Sequence, residues 1–366
     1  MSKQLSIRSQ SMLGTHHSWA ITMRNLLTEF QEKGHKLYLH TTNGKDFIPE
    51  NLSSRLGRDL AIPDIDICYT LPRNFKERFA KKSKLKLAIY NYETSAFPKM
   101  WQGDIRYVDY VLPSSNFSKE VFVNGGWPEE KCIVVPHGIH PITPERFNSV
   151  EPFKLQNTKR VKFLNVSIPH RRKNIDLLIE AYYRTFSNQD DVCLVIKTSL
   201  EKPKNSFEVD VSEIIRNAQK RHANRPGGLP QMELVTARVP DMLSLYKACG
   251  ILISTTSSEG FGLPLLEALD AGRLVIAPKC TGQLDFLNEQ NSILVNAKEI
   301  DAKGYQYWMD SDGAKTYLPV IDDVCNAMMV AYNAGPEVLH TFKPEMERVC
   351  KEFTWSNAAE KILRMA

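Results

Sequence analysis

The stretch GILISTTSSEGFGLPLLEALDAGRLVIAP, Gly250 to Pro278, decides how the rest of the chain is read. GILISTT (250–256) is apolar and rich in β-branched residues, the composition of a buried strand. LPLLEALDA (263–271) reads as a helix, and Pro264 suits its first turn because no N–H is needed there. RLVIAP (273–278) reads as the next strand. Gly260 and Gly262 leave backbone N–H groups open at the helix N-terminus, a seat for a diphosphate. Glu259 and Glu267 stand on either side of that seat. Carboxylates repel phosphate, so they are expected to reach past its ends and accept hydrogen bonds from hydroxyls. One would hold the hydroxyls of a transferable sugar, the other those of a ribose. The stretch therefore implies a nucleotide-sugar.

Outward from it, β and α patterns alternate at short intervals. RVKFLNVSI (160–168), DVCLVIKTS (191–199) and MELVTA (232–237) read as strands. KNIDLLIEAYYRTF (173–186), DVSEIIRNAQKRH (210–222) and PDMLSLYKAC (240–249), the last opened by its proline, read as helices. Such alternation predicts a parallel sheet covered on both faces. The first half repeats the pattern more loosely. KQLSIRS, HKLYLHTT, IDICYT (65–70), KLAIYNY (86–92), DYVLPSS (109–115) and CIVVPHG (132–138) are its strand candidates, and AITMRNLLTEFQEKG is a helix ending at Gly34. HPITPERFNSVEPFKLQNTK (140–159) is aperiodic and proline-bearing, and reads as a linker. The expected fold is α/β: two doubly wound, parallel-sheet, Rossmann-like domains, 1–150 and 151–352, facing a cleft.

Composition narrows the class. The chain has 366 residues, 42% hydrophobic and 24% charged, as in a soluble globular protein. No apolar run approaches the roughly 18 residues of a membrane span, and the start of the chain lacks the apolar core of a signal peptide, so a cytoplasmic location is expected. Seven scattered cysteines show no C-x-x-C spacing, which points away from a zinc site or a disulfide framework. Residues 1–150 carry 20 Lys and Arg against 15 Asp and Glu, whereas the remainder carries 27 of each. KERFAKKSKLK (76–86) concentrates that excess. It is either a solvated surface or a docking stretch for an anionic membrane surface, nucleic acid or phosphorylated acceptor.

SSEGFGLPLLEALDAG (257–272) resembles the E-x7-E signature of retaining glycosyltransferases of family-4 type, which have the GT-B fold. LNVSIPHRRKNIDLLIEAYYRTF (164–186) is similar to that family's donor-phosphate segment. VLPSSNFSKEVFVNGGWPEEKCIVVPHGI (111–139) is similar to its interdomain approach. FTWSNAAEKIL (353–363) is similar to its final helix, which in the family crosses back to the first domain, so 353–366 is assigned there. The resemblance implies that Glu259 contacts the donor sugar and Glu267 the ribose. It implies backbone donors from Gly260, Phe261 and Gly262, and neutralisation of the leaving diphosphate by Lys173. Ser167-Ile168 stands where many relatives have Gly-Arg, so Arg172, then Arg171, is taken as the second cation. The nucleotide base is expected near Thr236–Val239, with Val239 as the contact.

On the acceptor side, Gly14 in SMLGTHHSW is expected to let backbone approach the donor phosphate. His16 and His17 lie in the same loop, and Glu93 in YNYETSAFPKMW is a further candidate. His137 is expected to hold the interdomain loop. The donor would be a nucleotide-sugar such as a UDP- or GDP-sugar, with no metal and no further cofactor. The acceptor would be a saccharide, a lipid or another hydroxyl. Three alternatives stand beside this reading: a phage-type enzyme that glycosylates DNA bases, a non-catalytic sugar-nucleotide-binding protein, and a sugar-nucleotide epimerase.

Overall fold

A computed structural model of the chain describes residues 3–305, 313–334 and 336–366. The chain forms two units. The first is Met1–Tyr92, Ala96–His140 and Glu352–Ala366, and the second is Glu93–Ser95 and Pro141–Lys351.

The first unit is built on a parallel sheet of β1 (Ser6–Ser11), β2 (Lys36–Thr41), β3 (Ile65–Tyr69), β4 (Leu85–Ile89) and β5 (Tyr110–Leu112), in the order 2-1-3-4-5. Helix α1 (Ser18–Glu32) follows β1 and buries Met23, Leu26, Leu27 and Phe30. The shorter α2 (Glu50–Ser53), α3 (Phe75–Arg78) and α4 (Asn116–Asn124) link later strands. Residues 132–138 do not form the predicted strand. Cys132 makes one bridge to Val111, Ile133 and Val135 donate to Val111 and Pro113, and then Pro136 has no N–H with which to continue. Phe97, Trp101, Phe122 and Trp127 cluster edge to face, Phe97 and Trp127 with centroids 4.6 Å apart. The C-terminal helix Trp355–Leu363 packs on α1, where Lys33 Nζ donates to Ser356 Oγ at 2.9 Å.

The basic stretch 76–86 runs from α3 to the start of β4. Lys84 pairs with Asp64 at 2.6 Å, and Asp64 also accepts from the Ser6 N–H, so this charge lies at the amino end of the sheet. Ligands of open parallel sheets bind at the opposite, carboxyl end.

The second unit holds β6 (Val161–Val166), β7 (Val192–Lys197), β8 (Gln231–Val235), β9 (Ile251–Ile253), β10 (Leu274–Pro278) and β11 (Ile293–Val295), all parallel, in the order 11-10-9-6-7-8. Its helices are α5 (Pro144–Ser149), α6 (Ile175–Thr185), α7 (Val211–Arg221), α8 (Met242–Ala248), α9 (Leu263–Asp270), α10 (Ile321–Asn333) and α11 (Pro336–Glu352). Helices α6, α7 and α10 pack on Phe163, Leu194, Ile196, Ile253 and Ile276 to form one core. An antiparallel pair, β12 (Ala297–Asp301) and β13 (Lys315–Pro319), stands outside the main sheet.

Three sequence expectations change here. The stretch read as a linker contains α5, capped by Thr143 with Pro144 in its first turn, and Lys247 Nζ ties its end by donating to Phe147 and Val150 carbonyls at 2.6 Å. Helix α8 is opened by Asp241, whose side chain accepts from the Leu243 N–H, rather than by Pro240. Strand β9 stops at Ile253, because Thr255, Thr256 and Ser257 bond to residues 172–174 instead of continuing the ladder.

Gly14 has a packing reason of its own. A Cβ there would lie 1.4 Å from the Gly44 carbonyl oxygen, and its N–H already bonds Asn43 Oδ1 at 3.0 Å. The close approach that glycine permits here is to the loop after β2. Gly14→Ala should lower stability by about 3 kcal/mol or more, as an overpacked backbone contact does. Gly44→Ala, whose Cβ would meet its nearest atom only at 3.9 Å, should be tolerated. Chemical denaturation of both variants tests this pair of outcomes.

Candidate active site

The strand order reverses between β9 and β6: the chain leaves β6 toward β7 and β8, then returns to β9 and proceeds the other way. Loops after the two strands therefore diverge at the carboxyl edge, the place where such sheets bind ligands. These are residues 167–174 and 254–262, the two segments that the sequence singles out.

Polar side chains lock the loops together. Asn174 adopts a left-handed conformation, φ 47° and ψ 48°, which asparagine tolerates better than most residues. Its Nδ2 donates to the Thr255 carbonyl at 2.8 Å and Ser257 Oγ at 2.7 Å. Thr255 Oγ1 returns bonds to the Lys173 and Asn174 carbonyls, both at 3.1 Å. The Ser257 N–H donates to the Arg172 carbonyl at 2.7 Å, and β13 braces the same residue through Tyr317 N–H to Ser257 O at 3.1 Å.

Four charges meet on this frame. Lys173 Nζ pairs with Glu259 Oε1, and Arg172 lies 3.3 Å from Glu259 Oε2 and 3.5 Å from Glu93 Oε1. Arg172 also donates to the Ser258 carbonyl. Burial alone would raise the Glu259 pKa, but Lys173 and Arg172 outweigh it and hold the carboxylate down to about 2. His170 caps the 171–173 turn by accepting from the Arg172 N–H, and burial followed by the two neighbouring cations lowers it to about 3, so its ring is neutral. The Glu259 backbone is fixed by Thr281, which accepts its N–H at 2.9 Å from a left-handed position, φ 56°.

Glu267 lies one to two turns into α9. Its Oε2 accepts from the Tyr246 hydroxyl of α8 at 2.7 Å. Burial raises its pKa to about 7, Tyr246 opposing and Asp270 and Asp241 adding to the rise. Gly262 precedes α9 with φ 100°, and the Phe261 ring is buried against Phe286. Arg171 is exposed and lies near Gly304. Val239 is half-buried in the loop that joins β8 to α8.

The expected acceptor-side residues divide. Glu93 belongs to the second unit and sits against Arg172, so it is part of the donor-side charge cluster. His17 is the N-cap of α1, its Nδ1 accepting from the Trp19 N–H at 3.2 Å, and His16 packs on Phe47 with ring centroids 3.8 Å apart. His137 is buried beside Asn91 and Trp355 within the first unit, and burial lowers it to about 3. Sequence reading missed Thr281, Tyr246, Asn174 and Ser257. No group of three or more His, Cys, Asp or Glu that could hold a metal lies among the described residues.

The two glutamates should answer pH in opposite senses. Glu267 has a folded pKa above its ordinary 4.5, so its stabilising contribution is full below 4.5 and is lost as pH rises to about 7. Glu259 lies below 4.5, so its contribution is full above that pH and is lost only toward about 2. Stability of the native chain relative to Glu267→Gln should therefore fall across pH 4.5 to 7, while the difference from Glu259→Gln stays flat there. Urea titrations across this range measure both.

Comparison with known proteins agrees with this geometry. Residues 160–304 match the family of glycosyl transferases group 1. The alpha-1,3/1,6-mannosyltransferase ALG2 of Kluyveromyces lactis is 22% identical over 238 residues, 58% of this chain and 46% of that protein. The uncharacterized glycosyltransferase 335 of Sulfolobus islandicus rod-shaped virus 1 is 23% identical over 227 residues, 60% of this chain and 62% of that protein. The chain spans about half the length of the curated relatives it matches. The crystal structure of Anabaena HepE in complex with UDP-glucose has a similar fold, with a TM-score of 0.70 at 11% identity over 99% of each chain. By segment and fold together, residues 160–304 are similar to glycosyl transferases group 1, and the chain has the GT-B fold of two parallel-sheet α/β units.

Proposed function

We propose that the chain transfers a sugar from a nucleoside diphosphate sugar to a hydroxyl of a neutral saccharide, with retention at the sugar carbon. The observation that carries the reading is the pairing of Glu259 with Lys173 and Arg172 at the strand-order reversal, one helix start away from Glu267. Two largely buried cations beside open helix backbone suit a diphosphate. With the donor present, the diphosphate takes Lys173 and Arg172, and the Glu259 carboxylate turns to the sugar hydroxyls. Glu267, ionised above about pH 7, accepts from a ribose hydroxyl.

In the reaction, the bond from the sugar carbon to the diphosphate oxygen breaks, and a bond to the acceptor oxygen forms on the same face. The acceptor proton passes to the departing phosphate oxygen, so no strong protein base is needed. Lys173 and Arg172 stabilise the charge that builds on the diphosphate, which is the main catalytic effect, and no metal is required for it. HepE, crystallised with UDP-glucose, and ALG2, a mannosyltransferase by name, support a nucleotide-sugar donor.

A saccharide acceptor is favoured over DNA by where the first unit keeps its charge. Its basic stretch 76–86 lies at the amino end of the sheet. At the carboxyl end, the partly exposed Trp19 stacks on Tyr69 with centroids 4.8 Å apart and planes 16° apart, and Tyr90, Asn91 and the neutral His137 stand near. An aromatic face among uncharged polar groups suits a sugar ring better than a phosphate backbone.

Glu259→Gln separates the roles. It frees Lys173 and leaves Arg172 only Glu93, while removing the acceptor of the sugar hydroxyls. Binding of the bare nucleoside diphosphate should hold or tighten a few-fold, and kcat should fall about a hundredfold or more. Calorimetry and turnover with neutral glycosides and duplex DNA as acceptors check this. Weaker diphosphate binding in Glu259→Gln would contradict the partner exchange, and turnover of DNA alone would contradict the saccharide reading.

A further inference from the structure

We propose that Lys197 is a further donor-site cation, its ammonium neutralising the phosphates of the nucleoside diphosphate sugar. The inference rests on the donor reading above. Among the described residues, Arg172 and Lys173 are matched one for one by Glu259 and Glu93, so these four groups are formally neutral. A sugar diphosphate diester brings negative charge, and more develops as the sugar departs. A neutral cluster gives that charge little net attraction, so another cation is needed within reach.

Lys197 is placed for it. It is the last residue of β7, in register with Val166 at the end of β6 and Val235 at the end of β8. Its carbonyl accepts the Ser167 N–H at 3.1 Å, so it lies directly beside the loop that carries Arg172 and Lys173. β9 is two strands away, about 10 Å at the usual strand spacing, within reach of a lysine arm and a diphosphate together.

The face is also right. Alternation along β7 puts Lys197 with Val195 and Cys193, opposite the Leu194 and Ile196 side that packs on α6 and α7. Right-handed crossovers put α6 and α7, which step from β6 to β8, on one face, and α8 and α9, which connect in the reverse direction, on the other. Lys197 thus shares a face with the N-terminus of α9 and the Gly260–Gly262 turn.

It is held there without a counter-charge. Its ammonium makes no hydrogen bond or ion pair with any described residue, and burial, with nothing opposing it, lowers its pKa. Next to it, Thr198 is 4% exposed, and its hydroxyl has no partner among the described residues. A half-buried cation, unengaged at a carboxyl strand end, suits an anionic ligand that engages it.

Calorimetry of the full chain with UDP, GDP, ADP and dTDP, and with the matching nucleosides, tests the assignment in the native protein, Lys197→Met and Lys197→Arg. Methionine keeps the aliphatic stem, so the fold is preserved. The native protein should bind one of the diphosphates. Lys197→Met should weaken it about tenfold or more, the worth of one charge-assisted contact, with a shallower salt dependence. The matching nucleoside should bind unchanged, and Lys197→Arg should restore most of the loss. Unchanged diphosphate binding in Lys197→Met, or an equal loss for the nucleoside, overturns the role of Lys197 and leaves the donor reading standing. Failure of the native protein to bind any of the four overturns the donor reading and this inference with it.

Discussion

Two largely buried cations and two carboxylates, packed at one point of a parallel sheet, set the terms for the second unit. Burying Lys173 and Arg172 is tolerable because Glu259 and Glu93 match them, and removing a single partner would leave a charge stranded away from water, which is costly. The match exists because two loops from adjacent strands meet where the strand order reverses. The left-handed turn at Asn174, the Thr255 and Ser257 bonds and the Thr281 contact all serve to hold those loops in register.

The same pairing resolves how carboxylates can flank a seat for phosphate. With the donor absent, Glu259 is the anion that the cations hold. In the proposed reaction a diphosphate replaces it, and the displaced carboxylate then reaches the sugar. Glu267 faces a different partner, the Tyr246 hydroxyl, and a different protonation range, since burial rather than pairing governs it. One helix start thus carries two glutamates with opposite electrostatic histories.

Much of this was legible in the sequence. Strand and helix placements in the second half follow from apolar periodicity, and Glu259, Glu267, Arg172 and Lys173 are marked by their positions around a glycine turn. What escaped depends on contacts made between distant segments. Thr281 lies 22 residues beyond its partner Glu259, and Tyr246 reads as one more residue of an apolar stripe until α8 meets α9. Lys197 hides in a strand pattern, because its meaning comes from which strand ends lie beside it. The 132–138 segment has strand composition but lacks, at Pro136, the N–H that a ladder needs. Gly14 was read for a ligand, and its missing side chain makes room for Gly44. Glu93, placed by sequence on the acceptor side, is drawn to Arg172 by charge.

The central claim is that Lys173 and Arg172 exchange Glu259 for the donor diphosphate. A crystal structure of the chain soaked with the nucleoside diphosphate sugar that it binds tests this most directly. The account predicts Lys173 Nζ at about 3 Å from a phosphate oxygen, a charge-assisted contact, and Glu259 turned to the sugar hydroxyls. A bound donor with the Lys173–Glu259 pair intact, and the diphosphate lying away from both cations, would contradict it.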